Sequence, residues 1–246
     1  MKKHNFSAGP SILPQSVFEK ASQAVLDLDG MGLSILEISH RSKEFISIME
    51  RARALALELA GLTDKGYKAL FLQGGASLQF YASALNLLQH KGAYIDTGTW
   101  ANKAQKEAAL FGNAEVIASS KADGYKYIPK NVSVPTDANY LHITTNNTIY
   151  GTEFHSLPQT DIPLVADMSS DIFSRPLDYK QFSLIYAGSQ KNLGASGSTL
   201  VIVKKDILGK VSRKLPSMMD YQLHIKNDSM FNTPSTFAVY VNLLVL

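Results

Sequence analysis

The sequence predicts an α/β protein in which a mostly parallel seven-stranded sheet is sandwiched between layers of helices, and three observations carry that prediction. Seven short apolar runs of strand length recur along the chain, several of them nearly continuous, as strands covered on both faces are. Helical patterns lie between many of these runs, and alternating strands and helices build a parallel sheet with helices packed on it. The composition is also that of an ordinary α/β protein: 246 residues, 45% hydrophobic and 18% charged, with a core large enough for such a sheet.

The first 14 residues are expected to form an N-terminal arm, followed by one large domain over 15–246 without internal repeat or low-complexity linker. The clearest helix spans 42–60, where Phe45, Ile48, Met49, Ala52, Leu55, Ala56 and Leu59 recur at three- and four-residue spacing. Ser42 stands at its start and Gly61 just past its end, a capping residue and a terminator. The strands are expected at 67–72, 93–95, 114–118, 140–144, 164–166, 183–187 and 199–203. The chain stops on an apolar run, 237–246, with no cap and no polar tail, which reads as a helix cut within its length.

Charge and residue usage remove several classes of function. The formal net charge is only +3 and the cations are dispersed, with the densest patch at Lys204, Lys205 and Lys210–Lys214 reading as a solvated face. No basic stripe interleaved with aromatics points to nucleic acid. There is no cysteine, so disulfides and thiolate metal sites are excluded, and a reducing compartment is compatible. The histidines His4, His90, His142, His155 and His224 show no metal-ligand spacing. The opening residues, Met1-Lys2-Lys3-His4-Asn5, lack the apolar run of a signal peptide, and no apolar stretch approaches membrane-spanning length. The cytoplasm is the expected compartment.

The chemistry concentrates just past the strands. Tyr186-Ala187-Gly188-Ser189-Gln190-Lys191-Asn192-Leu193-Gly194 places a lysine in a small-residue loop after an apolar strand. A lysine becomes a nucleophile when burial or nearby cations disfavour its charged form, and small neighbours let a flat electrophile approach. Lys191 therefore reads as a Schiff-base lysine, against the commoner case of a solvated surface group. Upstream, Leu164-Val165-Ala166-Asp167 ends a strand in an acid, at the rim where open α/β sheets bind ligands. A pyridoxal phosphate enzyme needs an acid there to keep the pyridine nitrogen protonated, and Asp167 fits, although an Asp after a strand also serves as a turn cap.

Three further turns belong with these. Gln73-Gly74-Gly75-Ala76-Ser77 joins a strand to a helix start, where backbone N–H groups can hold a phosphate; Ser77 adds a hydroxyl. Trp100, the only tryptophan, follows the 93–95 strand and could stack on a pyridine ring. Thr144-Thr145-Asn146-Asn147-Thr148 supplies hydroxyls and amides that could reach a phenolic oxygen or simply form a turn. His40 and Arg41 precede the long helix, and an arginine fork can bind a carboxylate or phosphate bidentately.

Taken in order, Phe6-Ser7-Ala8-Gly9-Pro10, Ser39-His40-Arg41-Ser42, Gln73-Gly74-Gly75-Ala76-Ser77, Trp100, Asn147-Thr148, Ala166-Asp167, Gly188-Ser189-Gln190-Lys191 and Phe231-Asn232-Thr233-Pro234 resemble the phosphoserine aminotransferase family of class V aminotransferases. The resemblance implies the aspartate-aminotransferase-like fold type I, a pyridoxal 5'-phosphate cofactor in the large domain, and a homodimer with shared active sites. It implies that Lys191 forms the Schiff base and shuttles protons, Asp167 pairs with the ring nitrogen, Trp100 stacks on the ring and Thr148 addresses the phenolic side. Ala76, Ser77 and Gln190 would hold the phosphate, with Asn232 and Thr233 supplied by the partner subunit. Arg41, with His40 beside it, would bind an acidic group of the substrate. The implied reaction moves an amino group from glutamate to 3-phosphohydroxypyruvate, giving phosphoserine and 2-oxoglutarate.

Two departures qualify the transfer. Some family members carry an arginine where this chain has Ser77, and members continue into a small C-terminal domain that this chain is expected to lack, with its histidine and arginines for the substrate. These 246 residues are therefore expected to bind the cofactor better than they turn over substrate. The alternatives are another fold type I aminotransferase, such as an alanine-glyoxylate enzyme, or a cofactor-binding fragment without turnover. A cysteine desulfurase is excluded by the absence of cysteine.

Overall fold

In the computed structural model, residues 3–246 are described; Met1 and Lys2, the start of the expected arm, lie outside the described residues. After an irregular arm come α1 (Gln15–Leu26) and α2 (Lys43–Leu59). Ser42 caps α2 as expected, its hydroxyl accepting the Phe45 N–H at 3.3 Å, which satisfies one of the first-turn donors. Gly61 follows with φ +62°, a left-handed residue that ends the helix. The buried face of α2 comprises Phe45, Ile48, Met49, Ala52 and Ala56. Leu59 departs from the expected stripe: it is 48% exposed, while Ala56 and Ala60 of the same turn are the buried residues.

The remaining elements are β1 (Tyr67–Leu72), α3 (Gly75–Leu87), β2 (Lys91–Asp96), α4 (Thr99–Ala108), β3 (Asn113–Ser119), β4 (Tyr140–Thr144), β5 (Asn146–Asn147), β6 (Thr152–Glu153), β7 (Leu164–Asp167), β8 (Leu184–Gly188), β9 (Thr199–Lys204), α5 (Tyr221–Lys226) and α6 (Thr236–Val245). Each of the seven predicted strands is present, within about a residue or two at its ends. They form one sheet in the order β1-β9-β8-β7-β4-β2-β3, and β5 pairs with β6 in a separate two-stranded ribbon.

From β8 to β3 every neighbouring pair is parallel, whereas β9 runs antiparallel to both β8 and β1. The reversal follows from chain length. The 189–198 connection holds no crossover helix, so the chain can only turn back on itself, as parallel strands need a longer return.

Residues alternate along the strands between two cores. Phe71, Ile95, Ile143, Ala166, Ile185 and Ile202 face a core shared with α2 and α6, while Leu72, Tyr94, Tyr140, Val165, Tyr186 and Val201 face one shared with α3, α4 and α5. Both faces of the inner strands are covered, so those strands read as apolar runs and the three layers follow, while the edge strand β3 is largely exposed. The apolar run at 237–246 is α6: Val239, Tyr240 and Leu243 join the α2 core while Val241 packs on Val17 and Ala21 of α1. A helix covered on two sides needs no polar face.

Because the parallel strands share a direction, β1, β2, β4, β7 and β8 deliver their carboxyl ends to one edge of the sheet. The turns after Leu72, Asp96, Thr144, Asp167 and Gly188 meet there.

Candidate active site

Those turns enclose a cleft lined by Gly75, Ala76 and Ser77 from the start of α3, Trp100 from α4, Thr144 and Asn146, Asp167 with Ser169 and Ser170, and Gln190 with Lys191. Phe80 adds an apolar wall one turn into α3. Two residues singled out on separate strands, Asp167 and Lys191, therefore address one space.

Asp167 is buried at the end of β7, and its Oδ1 accepts the backbone N–H of Ser169 at 3.0 Å and the Ser169 hydroxyl at 2.6 Å. Burial raises its pKa; the two Ser169 hydrogen bonds and the positive Lys191 oppose that rise. With Oδ1 occupied, Oδ2 is the oxygen left for a donor in the cleft. A cationic N–H there would restore the ionised carboxylate that burial disfavours.

Lys191 is half-buried, and its Nζ donates to the Thr148 hydroxyl and to Ser170 Oγ at 2.9 Å; the two hydroxyls are themselves 2.6 Å apart. Burial lowers the pKa of the amine, while Asp167 and Asp171 pull it back up. The neutral amine is the nucleophilic form, so desolvation biases Lys191 toward attack on a carbonyl carbon.

One end of the cleft is formed by the start of α3. Gly74 precedes it with φ +91°, and a Cβ on that glycine would stand 2.8 Å from Leu78 Cβ, so only glycine lets the chain enter the helix here. The first-turn N–H groups of Gly75, Ala76 and Ser77 have no intrahelical acceptor, an arrangement that suits an anion. Gln190 folds over Gly188, where a Cβ would lie 2.8 Å from its Oε1. Trp100 lines the same cleft with its Nε1 buried and without a partner, and Lys103 Nζ lies 4.9 Å from its ring centroid. Asn147 ties the loops together, accepting from Thr97 Oγ1 at 3.1 Å and donating to Thr152 Oγ1 at 3.1 Å.

Of the residues expected at the site, Ala76, Ser77, Trp100, Asp167, Gln190 and Lys191 line the cleft, and Thr148 reaches it through the Lys191 amine. His40, Arg41, Asn232 and Thr233 do not line it. Thr233 lies behind the Gly74 turn, its carbonyl accepting from Gln73 Nε2 at 2.5 Å, and Asn232 borders a different cavity with Gln73 and Gly74. Arg41 is exposed before α2, and His40 has its Nε2 buried and unpartnered.

Ser169, Ser170 and Asp171 had no assigned role in the sequence, and Thr145, expected among the hydroxyls near a phenolic oxygen, turns toward the acids instead. Thr145 Oγ1 donates to the Asp167 carbonyl at 3.1 Å and to Asp171 Oδ1 at 2.6 Å, and burial pushes Asp171 up to about 6. A hydroxyl-rich turn after a strand-end acid was the available signal, but such turns are common without any site.

The fold and the cleft are those of an aminotransferase. Residues 3–246 match the aminotransferase class-V family, and the chain belongs to it. Within that family the chain is similar to the phosphoserine aminotransferase of Flavobacterium johnsoniae, 63% identical over 248 residues that cover 100% of this chain and 70% of the relative. The phosphoserine aminotransferase of Bacteroides thetaiotaomicron is 55% identical, covering 100% of this chain and 69% of the relative. Among solved structures, phosphoserine aminotransferase from Bacillus circulans subsp. alkalophilus superposes with a TM-score of 0.93 at 45% identity, over 98% of this chain and 68% of that one. The PLP-bound phosphoserine aminotransferase from Trichomonas vaginalis gives 0.93 at 33% identity, over 99% and 74%. The chain thus spans about 70% of the length of the curated relatives.

Proposed function

We propose that this chain performs pyridoxal phosphate-dependent transamination, moving the amino group of glutamate to 3-phosphohydroxypyruvate to give phosphoserine and 2-oxoglutarate, a step of serine biosynthesis in the cytoplasm. The observation that carries the reading is the convergence of Lys191, Asp167, Trp100 and the Gly75–Ser77 turn on one cleft. The relatives' names support the substrate pair. Among the described residues no helix is long and apolar enough to cross a membrane, and the chain has no cysteine, both compatible with that compartment.

The residues fit the cofactor chemically. A buried carboxylate with one free oxygen suits a protonated ring nitrogen, a half-buried amine suits an aldehyde, an aromatic wall suits a ring, and unpaired helix-start N–H groups suit a phosphate. Bound there, pyridoxal phosphate supplies an electron-withdrawing ring that accepts the electron pair left when the substrate carbon loses its proton. In this reading Asp167 would hold the proton on the ring nitrogen and Trp100 would cover the ring. Ala76, Ser77 and Gln190 would hold the phosphate, and Thr148 would serve the phenolic side. The Lys191 amine would carry the proton that leaves and returns to carbon, with Thr148 and Ser170 keeping it in place.

The 1–14 arm and the 15–246 cofactor domain remain our division of the chain. Asn232 and Thr233 lie outside their own chain's cleft, which supports their supply to the site of a second copy and hence a homodimer. Arg41, with His40 beside it, is our candidate for the substrate's acidic group, its exposure leaving the guanidinium open to a ligand.

The test is the visible spectrum of the cofactor-loaded chain before and after glutamate. The reading expects the absorption to change on adding glutamate and to return on adding 3-phosphohydroxypyruvate. A cofactor band unmoved by glutamate would leave only a binding fragment.

A further inference from the structure

The irregular segment before α1 reaches the lysine loop. The Ser11 N–H donates to the Gln190 carbonyl at 3.0 Å, and the Ser11 hydroxyl donates to the Lys191 carbonyl. Two residues earlier, Gly9 lies against the lysine stem: a Cβ built on it would stand 2.8 Å from Lys191 Cγ and 3.5 Å from the Gln190 carbonyl oxygen. Non-bonded carbons settle at about 3.5–4.0 Å, so that Cβ does not fit. Gly9 is not one of the left-handed glycines, and its backbone tolerates other residues; what excludes them is the space taken by Lys191.

The position of the contact decides its effect. Cγ is the first stem atom placed by χ1, so relieving a clash there from the lysine's side means rotating the whole side chain rather than bending its end. Such a rotation would carry Nζ away from Thr148 and Ser170, the two hydroxyls that hold it. Lys191 is thus located at its carbonyl by Ser11, at its stem by Gly9 and at its amine by Thr148 and Ser170.

We propose that Gly9 is a positioning residue for Lys191: by having no side chain it admits the one stem conformation that presents Nζ to the cleft, and Ser11 fixes the backbone under it. The proposal rests on the reading of Lys191 as the amine that joins the cofactor, but the contact itself can be tested without cofactor.

The first measurement is thermal unfolding of the cofactor-free chain, its Gly9→Ala and Lys191→Ala variants and the double variant. Gly9→Ala is expected to lower the melting temperature by about 3 °C with Lys191 present and to have no effect with alanine at 191, where the stem is gone. If Gly9→Ala fails to fold, recovery of folding in the double variant gives the same answer. An equal penalty in both backgrounds overturns the proposal.

The second measurement is the rate at which borohydride fixes pyridoxal phosphate on Lys191. It should fall about tenfold in Gly9→Ala, the order of an off-rotamer stem, with a smaller loss in Ser11→Ala. An unchanged rate in Gly9→Ala also overturns the proposal. Failure of the unsubstituted chain to be labelled at Lys191 would instead count against the functional reading, while the unfolding cycle would still report on the contact.

Discussion

Ser169 connects Asp167 to the neighbouring strand: its hydroxyl donates to Asp167 Oδ1 at 2.6 Å and accepts the Gly188 N–H, from the end of β8, at 3.1 Å. The acid and the start of the lysine loop are thereby held by one oxygen. Because the strands pair Asp167 with Tyr186 in register, this hydroxyl spans a gap that the backbone ladder has already set.

The Ser169→Ala variant should weaken cofactor binding. The serine hydrogen bonds oppose the burial that raises the Asp167 pKa, so removing the hydroxyl raises it further and leaves less carboxylate for the ring nitrogen. A hydrogen bond to a charged group contributes about 1.5–3 kcal/mol, so affinity for pyridoxal phosphate should fall by about tenfold or more in an equilibrium titration. Undiminished affinity would show that Ser169 does not support Asp167.

Asp171 predicts a pH dependence of stability. Its folded pKa of about 6 lies above the ordinary value of 3.8, with burial as the main cause. A raised acid binds more protons folded than unfolded between those values, so its contribution to stability falls as pH rises from about 4 to about 6 and stays low above. The Asp171→Asn variant, which keeps an acceptor for Thr145, should be more stable than the parent at pH 7 by about 1–3 kcal/mol and gain little at pH 4. Chemical denaturation at the two pH values checks this. The same change removes a charge that holds the Lys191 pKa up, so the amine should become neutral at lower pH.

The face of α2 gives a stability contrast. Phe45 is fully buried, so Phe45→Ala should cost about 3–5 kcal/mol through lost burial and the cavity left behind. Leu59→Ala, at an exposed position, should stay within about 0.5 kcal/mol in denaturant melts.

That contrast also marks where the sequence was legible. Six of the seven strands could be read because helices cover both faces of the sheet and leave apolar runs, β3 at the exposed edge because it still carries Val116, Ile117 and Ala118 in a row, and α2 because a single stripe is buried. Leu59 fits the same period, but in the last turn Ala56 and Ala60 are the buried residues, and periodicity does not show which residue of a turn the core covers. The reversal of β9 was recorded only in the length of the lysine loop. The β5–β6 ribbon is two residues a side, too short for any pattern.

In the site, Lys191, Asp167 and Trp100 could be brought together because each follows a strand, and parallel strands end at one edge. His40, Arg41, Asn232 and Thr233 do not follow strands of that edge, so their motifs carry no position within the chain's own cleft. The roles of Ser169 and Ser170 depend on hydroxyl directions, which residue types in a turn do not encode.

The most direct measurement is mass mapping of the chain after incubation with pyridoxal phosphate, borohydride reduction and proteolysis. A single stoichiometric adduct on the peptide carrying Lys191, reduced in yield by Asp167→Asn, is the predicted result. An adduct spread over surface lysines, or one on Lys191 that Asp167→Asn leaves untouched, would contradict a shared ring between these two residues.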